Sequence, residues 1–115
     1  MHIHHAISYI EFAVHDLDVA KRFYADAFGW EFNDYGPEYA GIQGGDGEIG
    51  GLRRADGVRA GGPLVVLYSR DLDESMRSIR SAGGEILHEP YAFPGGSRFH
   101  FTDPWGNELA VWSDR

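Results

Sequence analysis

Two stretches of the chain run through the same order of apolar and polar positions. Ile7–Val14 is apolar and β-branched enough for a largely buried strand. Asp16 is then placed as an N-cap, and Leu17, Ala20, Phe23, Tyr24, Ala27 and Phe28 recur at helical spacing. That pattern predicts a helix over 16–28, stopped by Gly29. Residues 30–35, 39–43 and 48–53 read as three short strands separated by Gly or Pro turns. The second stretch opens on a strand at Leu64–Tyr68 and a helix from Asp71, with Glu74 at the N3 position of a capping-box-like start. Leu72, Met76, Ile79 and Ala82 form its inner stripe, and Gly83-Gly84 ends it. Strands follow at 85–88, 98–102 and 107–112, the last two joined by Asp103-Pro104-Trp105-Gly106 as a type I turn. The parallel is sharpest where Ala13-Val14-His15-Asp16-Leu17-Asp18 is set beside Tyr68-Ser69-Arg70-Asp71-Leu72-Asp73. The expectation is one α+β domain over 1–115 made of two βαβββ modules, about 6–54 and 63–113, with a hinge at 55–62.

Glycine is the outlier of the composition: sixteen residues, clustered at 41–51 and 57–62, where turns or closely approached backbone are implied. Gly45-Asp46-Gly47-Glu48-Ile49-Gly50 matches G-x-G-x-x-G, yet no helix start follows to receive a pyrophosphate and two carboxylates would repel one. A net charge of −8 leaves no basic face for a row of phosphates, so nucleic acid is not an expected partner. Without cysteine there is no disulfide, thiolate nucleophile or zinc knuckle, in keeping with a reducing compartment. The longest apolar run, 63–68, is far too short to span a membrane, and the start of the chain lacks a signal-peptide pattern, so a cytoplasmic protein is expected.

Six histidines raise the question of a metal, but their spacing argues against one. His2, His4 and His5 crowd the start of the chain, where a loose, solvated role is expected; His15 beside the helix cap and His88 in a turn before Glu89-Pro90 are expected at the surface. His100 differs, because it lies inside a strand. If the turn pairs Thr102 with Glu108, His100 faces the same side as Ala110, Glu108 and Trp112, bringing a base, an acid and an aromatic to one surface; a histidine packed in the sheet is the alternative. Strand parity also puts Ile7, Tyr9 and Glu11 on one face and Ser8, Ile10 and Phe12 on the other. A carboxylate mid-strand must face water, a cavity or a partner such as His100, since an unpaired buried charge costs several kcal/mol.

Three stretches carry a family resemblance: Tyr9-Ile10-Glu11-Phe12-Ala13-Val14-His15-Asp16-Leu17 with Phe23-Tyr24 and Phe28-Gly29-Trp30; residues 64–71; and Phe101-Thr102-Asp103-Pro104-Trp105-Gly106-Asn107. Together with the paired βαβββ order, they resemble the vicinal oxygen chelate superfamily, which includes glyoxalase I, bleomycin-resistance proteins and extradiol dioxygenases. The resemblance implies curled mixed sheets enclosing a cavity, often completed across a homodimer, with a divalent ion in the metal-dependent members. Carried over by position, the metal histidine of the first strand falls on Tyr9, that of the fifth strand on Leu64 and the glutamate of the last strand on Ala110, while 48–52 offers mainly glycine and aliphatic residues. The expected protein therefore has no metal at the usual site and no cofactor. It binds a small organic ligand through Tyr9, Tyr39, Tyr68, Phe93, Glu108 and Trp112, with Glu11 and His100 sharing the pocket as acid–base groups. It would sequester a compound or carry out metal-independent acid–base chemistry; a glyoxalase- or isomerase-type lyase with a rebuilt metal site, and a structural or regulatory dimer with a vestigial pocket, are the alternatives.

Overall fold

The computed structural model describes residues 2–57 and 61–115, so residues 58–60 of the expected hinge lie outside the described residues. The element order is β1 (Ile7–Val14), α1 (Leu17–Phe28), β2 (Phe32–Asp34), β3 (Tyr39–Gly44), β4 (Gly47–Arg54), β5 (Leu64–Tyr68), α2 (Leu72–Ala82), β6 (Glu85–Phe93), β7 (Gly96–Thr102) and β8 (Glu108–Ser113). This is βαβββ twice, an α+β fold of mixed sheet. Two compact units divide the chain: Tyr9–Pro63, and Leu64–Arg115 together with the stretch ending at Ser8.

In the first unit the strand order is β2-β3-β4-β1. β1 runs parallel to β4 with Glu11 opposite Gly51, and the other pairs are antiparallel. Asp16 caps α1 by accepting from the Val19 N–H, and Gly29 closes it in the left-handed region at φ 75°. Leu17, Ala40, Ile42 and Leu52 form the core under this helix, with Phe12, Val14, Ala20, Tyr24, Trp30 and Phe32 packed around them. Phe23 and Phe28, which share the helical spacing of the apolar stripe, are nonetheless 58% and 66% exposed, and the core is instead met by Leu17, Ala20 and Tyr24 of this helix. The strand expected over 30–35 shrinks to β2, because Trp30 turns back to stack on Tyr24 with ring centroids 4.7 Å apart.

In the second unit the order is β5-β8-β7-β6, with β5 parallel to β8 and the rest antiparallel. Asp71 and Gly83 cap α2 as their counterparts cap α1, and the Asp71 carboxylate accepts from the Glu74 N–H as the capping pattern requires. Met76, Phe99 and Val111 are the core, flanked by Leu67, Leu72, Ile79, Ile86 and Phe101. The strand expected to end at His88 continues to Phe93. Register shifts between Ile86 and His88 and between His88 and Tyr91 place Pro90 at an irregularity of the outermost strand, where its missing N–H breaks no ladder bond. His88 therefore sits on a strand rather than in a turn, and it remains exposed.

The glycine cluster at 41–51 is a packing device as well as a set of turns. A Cβ on Gly50 would lie 2.3 Å from the Ile10 carbonyl oxygen, and one on Gly51 would lie 2.0 Å from the Tyr39 hydroxyl oxygen. The first obstacle is backbone and cannot yield without separating β4 from β1. Gly50→Ala is expected to destabilise the protein by about 1–3 kcal/mol, whereas Ile49→Ala at the neighbouring exposed position should shift stability by less than about 0.5 kcal/mol. Urea unfolding of both variants checks the contrast.

Candidate functional site

Each unit covers one face of its sheet with a helix and leaves polar groups on the other. On the second unit, β7 and β8 pair Thr102 with Glu108, His100 with Ala110 and Arg98 with Trp112, the register expected from the turn. Asp103 holds that register: its Oδ1 accepts from the N–H groups of Trp105 and Asn107, and its Oδ2 accepts from the Asn107 side-chain amide at 2.8 Å. These bonds, with Asn107 foremost, hold the Asp103 carboxyl below the usual carboxylate range.

Alternation then sends Phe99 and Val111 toward α2 and His100 and Glu108 to the opposite face. His100 is 8% exposed, with its Nδ1 2.9 Å from Glu108 Oε2 and its Nε2 2.8 Å from the Tyr91 hydroxyl. A carboxylate only accepts, so Nδ1 carries the hydrogen and Nε2 accepts from Tyr91. Arg98 Nε donates to the same Tyr91 oxygen at 2.5 Å, with its guanidinium 5.6 Å from the centre of the Tyr91 ring. Burial pushes the His100 imidazole below its ordinary value, and the bond to Glu108 opposes this, so the ring is neutral at neutral pH. His88 meets it edge-on at 5.2 Å. Tyr68, Phe93 and Trp112 cluster beyond Arg98, the register partner of Trp112, with Tyr68 and Trp112 rings 5.1 Å apart and Phe93 and Trp112 rings 6.1 Å apart.

On the first unit Glu11 is 5% exposed, not an edge carboxylate in water. Tyr39 donates to its Oε2 at 3.0 Å, and Arg53 Nε stands 3.6 Å from its Oε1. Tyr39 has only one hydrogen to give, so the 2.5 Å contact between the Tyr9 and Tyr39 hydroxyls is Tyr9 donating to Tyr39. Burial pushes the Tyr9 phenol up to about 12, and burial with the Glu11 charge raises Tyr39 still further. Gly41 and Gly51 face each other across β3 and β4 and make room for this layer, since a Cβ on Gly41 would collide with the Glu48 carboxylate. Glu48 accepts there from Asn33 at 3.0 Å and from Tyr35. Among the described residues every buried side-chain nitrogen and oxygen has a partner. A separate open groove of about 390 Å³ beside the start of α1 is lined by charged groups such as Asp16, Lys21, Glu38 and Arg54.

No periodicity or motif in the sequence marks Tyr91, Arg98 or the Glu48 cluster as site residues. Tyr91 is brought opposite Arg98 by the two register shifts of β6, which no alternation pattern reveals. The histidines at the start of the chain, expected to be loose, are built into the second unit. The His5 N–H donates to the Tyr68 carbonyl at 2.6 Å, His5 Nε2 lies 3.1 Å from Ser75 Oγ, and the Arg70 N–H donates to His4 Nδ1 at 3.0 Å. Among the described residues no three His, Asp or Glu side chains gather as a metal site would need, and no helix is long and apolar enough to cross a membrane.

The lowered native pKa of His100 has a defined consequence for stability. The unfolded imidazole, near ~6.5, takes up a proton before the native one does, so stability is retained above that value and lost as pH falls from there through the native pKa. An NMR titration of His100 is expected to show a midpoint below that of a free imidazole, moved lower again by Glu108→Gln; a midpoint at or above the free value would contradict the buried, neutral ring.

Sequence and structure comparisons agree with this architecture. A 33% identical match is the Mn(II)-bound glyoxalase from Novosphingobium aromaticivorans, with a TM-score of 0.70 over 94% of this chain; the chain spans 38% of that protein's length. A methylmalonyl-CoA epimerase from Streptomyces coelicolor, bound to 2-nitronate-propionyl-CoA, shares the fold at 19% identity and a TM-score of 0.69, covering 96% of this chain and 98% of that one. An uncharacterised protein of Mycolicibacterium smegmatis is 26% identical over 110 residues, covering 95% of this chain and 94% of that protein. The profile of the Glyoxalase/Bleomycin resistance protein/Dioxygenase superfamily matches residues 3–111, and the chain belongs to that superfamily.

Proposed function

We propose that this protein binds a small organic molecule and moves a proton on one of its carbon atoms without a metal, using a relay of Glu108, His100 and Tyr91. The observation that carries the reading is the pair of bonds on the His100 ring, Nδ1 to Glu108 at 2.9 Å and Nε2 to Tyr91 at 2.8 Å. Tyr91, 41% exposed, is the most exposed of the three and the member taken to meet substrate. In the forward step the Tyr91 hydroxyl passes its proton to His100 Nε2, and the phenolate, held by Arg98, takes the proton from the substrate carbon. The imidazolium so formed is balanced by Glu108, the role a carboxylate plays behind a histidine in other proton relays. Tyr91 then returns that proton to a different atom of the substrate, which makes the reaction an isomerisation, and His100 hands its own proton back to the Tyr91 phenolate so that the relay is restored. Glu11, buried and bonded to Tyr39, is the second acid–base candidate.

The residues at the family's metal positions do not fit an ion. Leu64 and Ala110 are buried and carry no donor atom, and a Tyr9 phenol raised to about 12 resists the ionised form a metal would take. A pure sequestering role is the second reading, favoured by the cluster of Tyr68, Trp112 and Phe93 rings. The test is deuterium wash-in from heavy water into a panel of 2-oxo acids, 1,3-dicarbonyl compounds and acyl thioesters. At least one class should exchange faster than in buffer, with the rate falling about 10²-fold or more in Tyr91→Phe and His100→Ala and surviving dialysis against EDTA. Loss of exchange on chelation would favour a rebuilt metal site; no exchange, with retained binding, would favour sequestration.

The same reading takes the protein as a cytoplasmic homodimer. Val19, Phe23 and Ile10 expose apolar surface on the first unit that a second copy would cover. Light scattering should give twice the chain's 12.8 kDa at micromolar concentration, and a monomer there would remove the dimer from the proposal.

A further inference from the structure

His2 rests on an aromatic corner of the second unit. Its ring stacks on Tyr68 with centroids 4.9 Å apart and planes at 27°, and meets the Trp112 indole edge-on at 4.7 Å and 81°. Tyr68 and Trp112 are themselves edge-to-face at 5.1 Å, so the two rings form a right-angled seat with one wall for stacking and one for an edge. Tyr68 is buried and its hydroxyl donates to Asp114 Oδ1 at 2.5 Å, which fixes a carboxylate at the rim; Arg115 Nε stands 4.0 Å from the same oxygen. The Asp114 carboxyl is held below the usual carboxylate range, chiefly by that Tyr68 bond, with the His2 ring adding to the pull. Phe93, 6.1 Å from Trp112, extends the apolar wall.

Two features make His2 an occupant rather than a component of this seat. It is exposed, whereas the walls beneath it are not, so the seat opens toward solvent. The segment behind it is pinned independently, by His4 on the Arg70 N–H and by His5 on Tyr68 and Ser75, so His2 can leave without releasing those anchors. We infer that Tyr68, Trp112 and Asp114 form a binding seat for a flat nitrogen heteroaromatic group, and that His2 occupies it as a tethered plug which a ligand of the same chemistry displaces. The stacking wall selects flatness, the edge of the indole and the apolar rim exclude bulky groups, and the carboxylate selects a ring that presents N–H. A tethered plug competes at an effective concentration on the order of millimolar, so it blocks weak ligands and yields to strong ones.

The inference rests on the reading that this face takes a small organic ligand and is independent of the proton relay. The test uses benzimidazole as probe, with affinity followed by titration calorimetry and the site by NMR shifts of Trp112 and Tyr68. His2→Ala in the full chain should tighten benzimidazole binding about tenfold, since a competitor at millimolar effective concentration is removed. Asp114→Asn should weaken it several-fold, and indane, the same shape without nitrogen, should bind more weakly than benzimidazole. Equal affinity in wild type and His2→Ala, no binding to His2→Ala, or shifts that map away from Trp112 would each overturn the plug. If this happens while carbon-acid exchange persists, only the plug falls; if exchange is absent while His2→Ala still sharpens benzimidazole binding, only the proton relay falls.

Discussion

The position of His100 depends on one carboxylate in a tight turn. Asp103 accepts from two backbone N–H groups and one amide, and so fixes where β7 stops and β8 begins. A slip of one residue would swap the two faces of a strand, sending His100 into the Phe99–Val111 core and Phe99 to the open side. A slip in pairing would also move Glu108 away from the His100 Nδ1 it now holds at 2.9 Å. The turn is thus the origin of the tautomer: register sets the carboxylate, the carboxylate claims Nδ1–H, and Nε2 is left to accept from Tyr91.

A second constraint is space. Polar side chains can lie over the helix-free face of the first unit because Gly41 and Gly51 stand opposite each other with no side chains of their own. The Tyr39 and Tyr9 hydroxyls sit over Gly51 and the Glu48 carboxylate sits over Gly41. This close approach gives buried hydroxyls and carboxylates partners within hydrogen-bond reach instead of leaving them unpaired, which would cost about 1–3 kcal/mol each.

The order of elements was legible because it rests on local chemistry. Asp16 and Asp71 as caps, Gly29 and Gly83 as stops, and the turn at Asp103 are each specified within a few residues. The face carrying His100 and Glu108 was legible for the same reason, being a matter of parity counted from that turn. Tyr91 was not, because two register shifts in β6 break the count, and neither was the seat of His2, which depends on rings some 66 and 110 residues away in the chain. Phe23 and Phe28 mislead in the opposite direction: helical spacing groups them with the apolar stripe, but the core of the first unit is met by Leu17, Ala20 and Tyr24 and leaves both phenylalanines exposed.

Burial has one electrostatic effect with two chemical outcomes in this molecule. Removing a group from water disfavours its charged form, which raises a phenol and lowers an imidazole. On the first unit this keeps Tyr9 and Tyr39 protonated, so both remain hydrogen-bond donors, with Tyr9 serving Tyr39 and Tyr39 serving Glu11. On the second unit the same desolvation keeps His100 unprotonated, so its Nε2 retains a lone pair. The Glu108 contact opposes the shift without cancelling it, so the ring stays neutral and its Nε2 lone pair is turned toward the Tyr91 hydroxyl. A repeated fold with one helix-free face per unit therefore holds two different polar networks, and the difference comes from what the neutral form of the buried residue offers: a hydrogen-bond donor in tyrosine, an accepting lone pair in histidine.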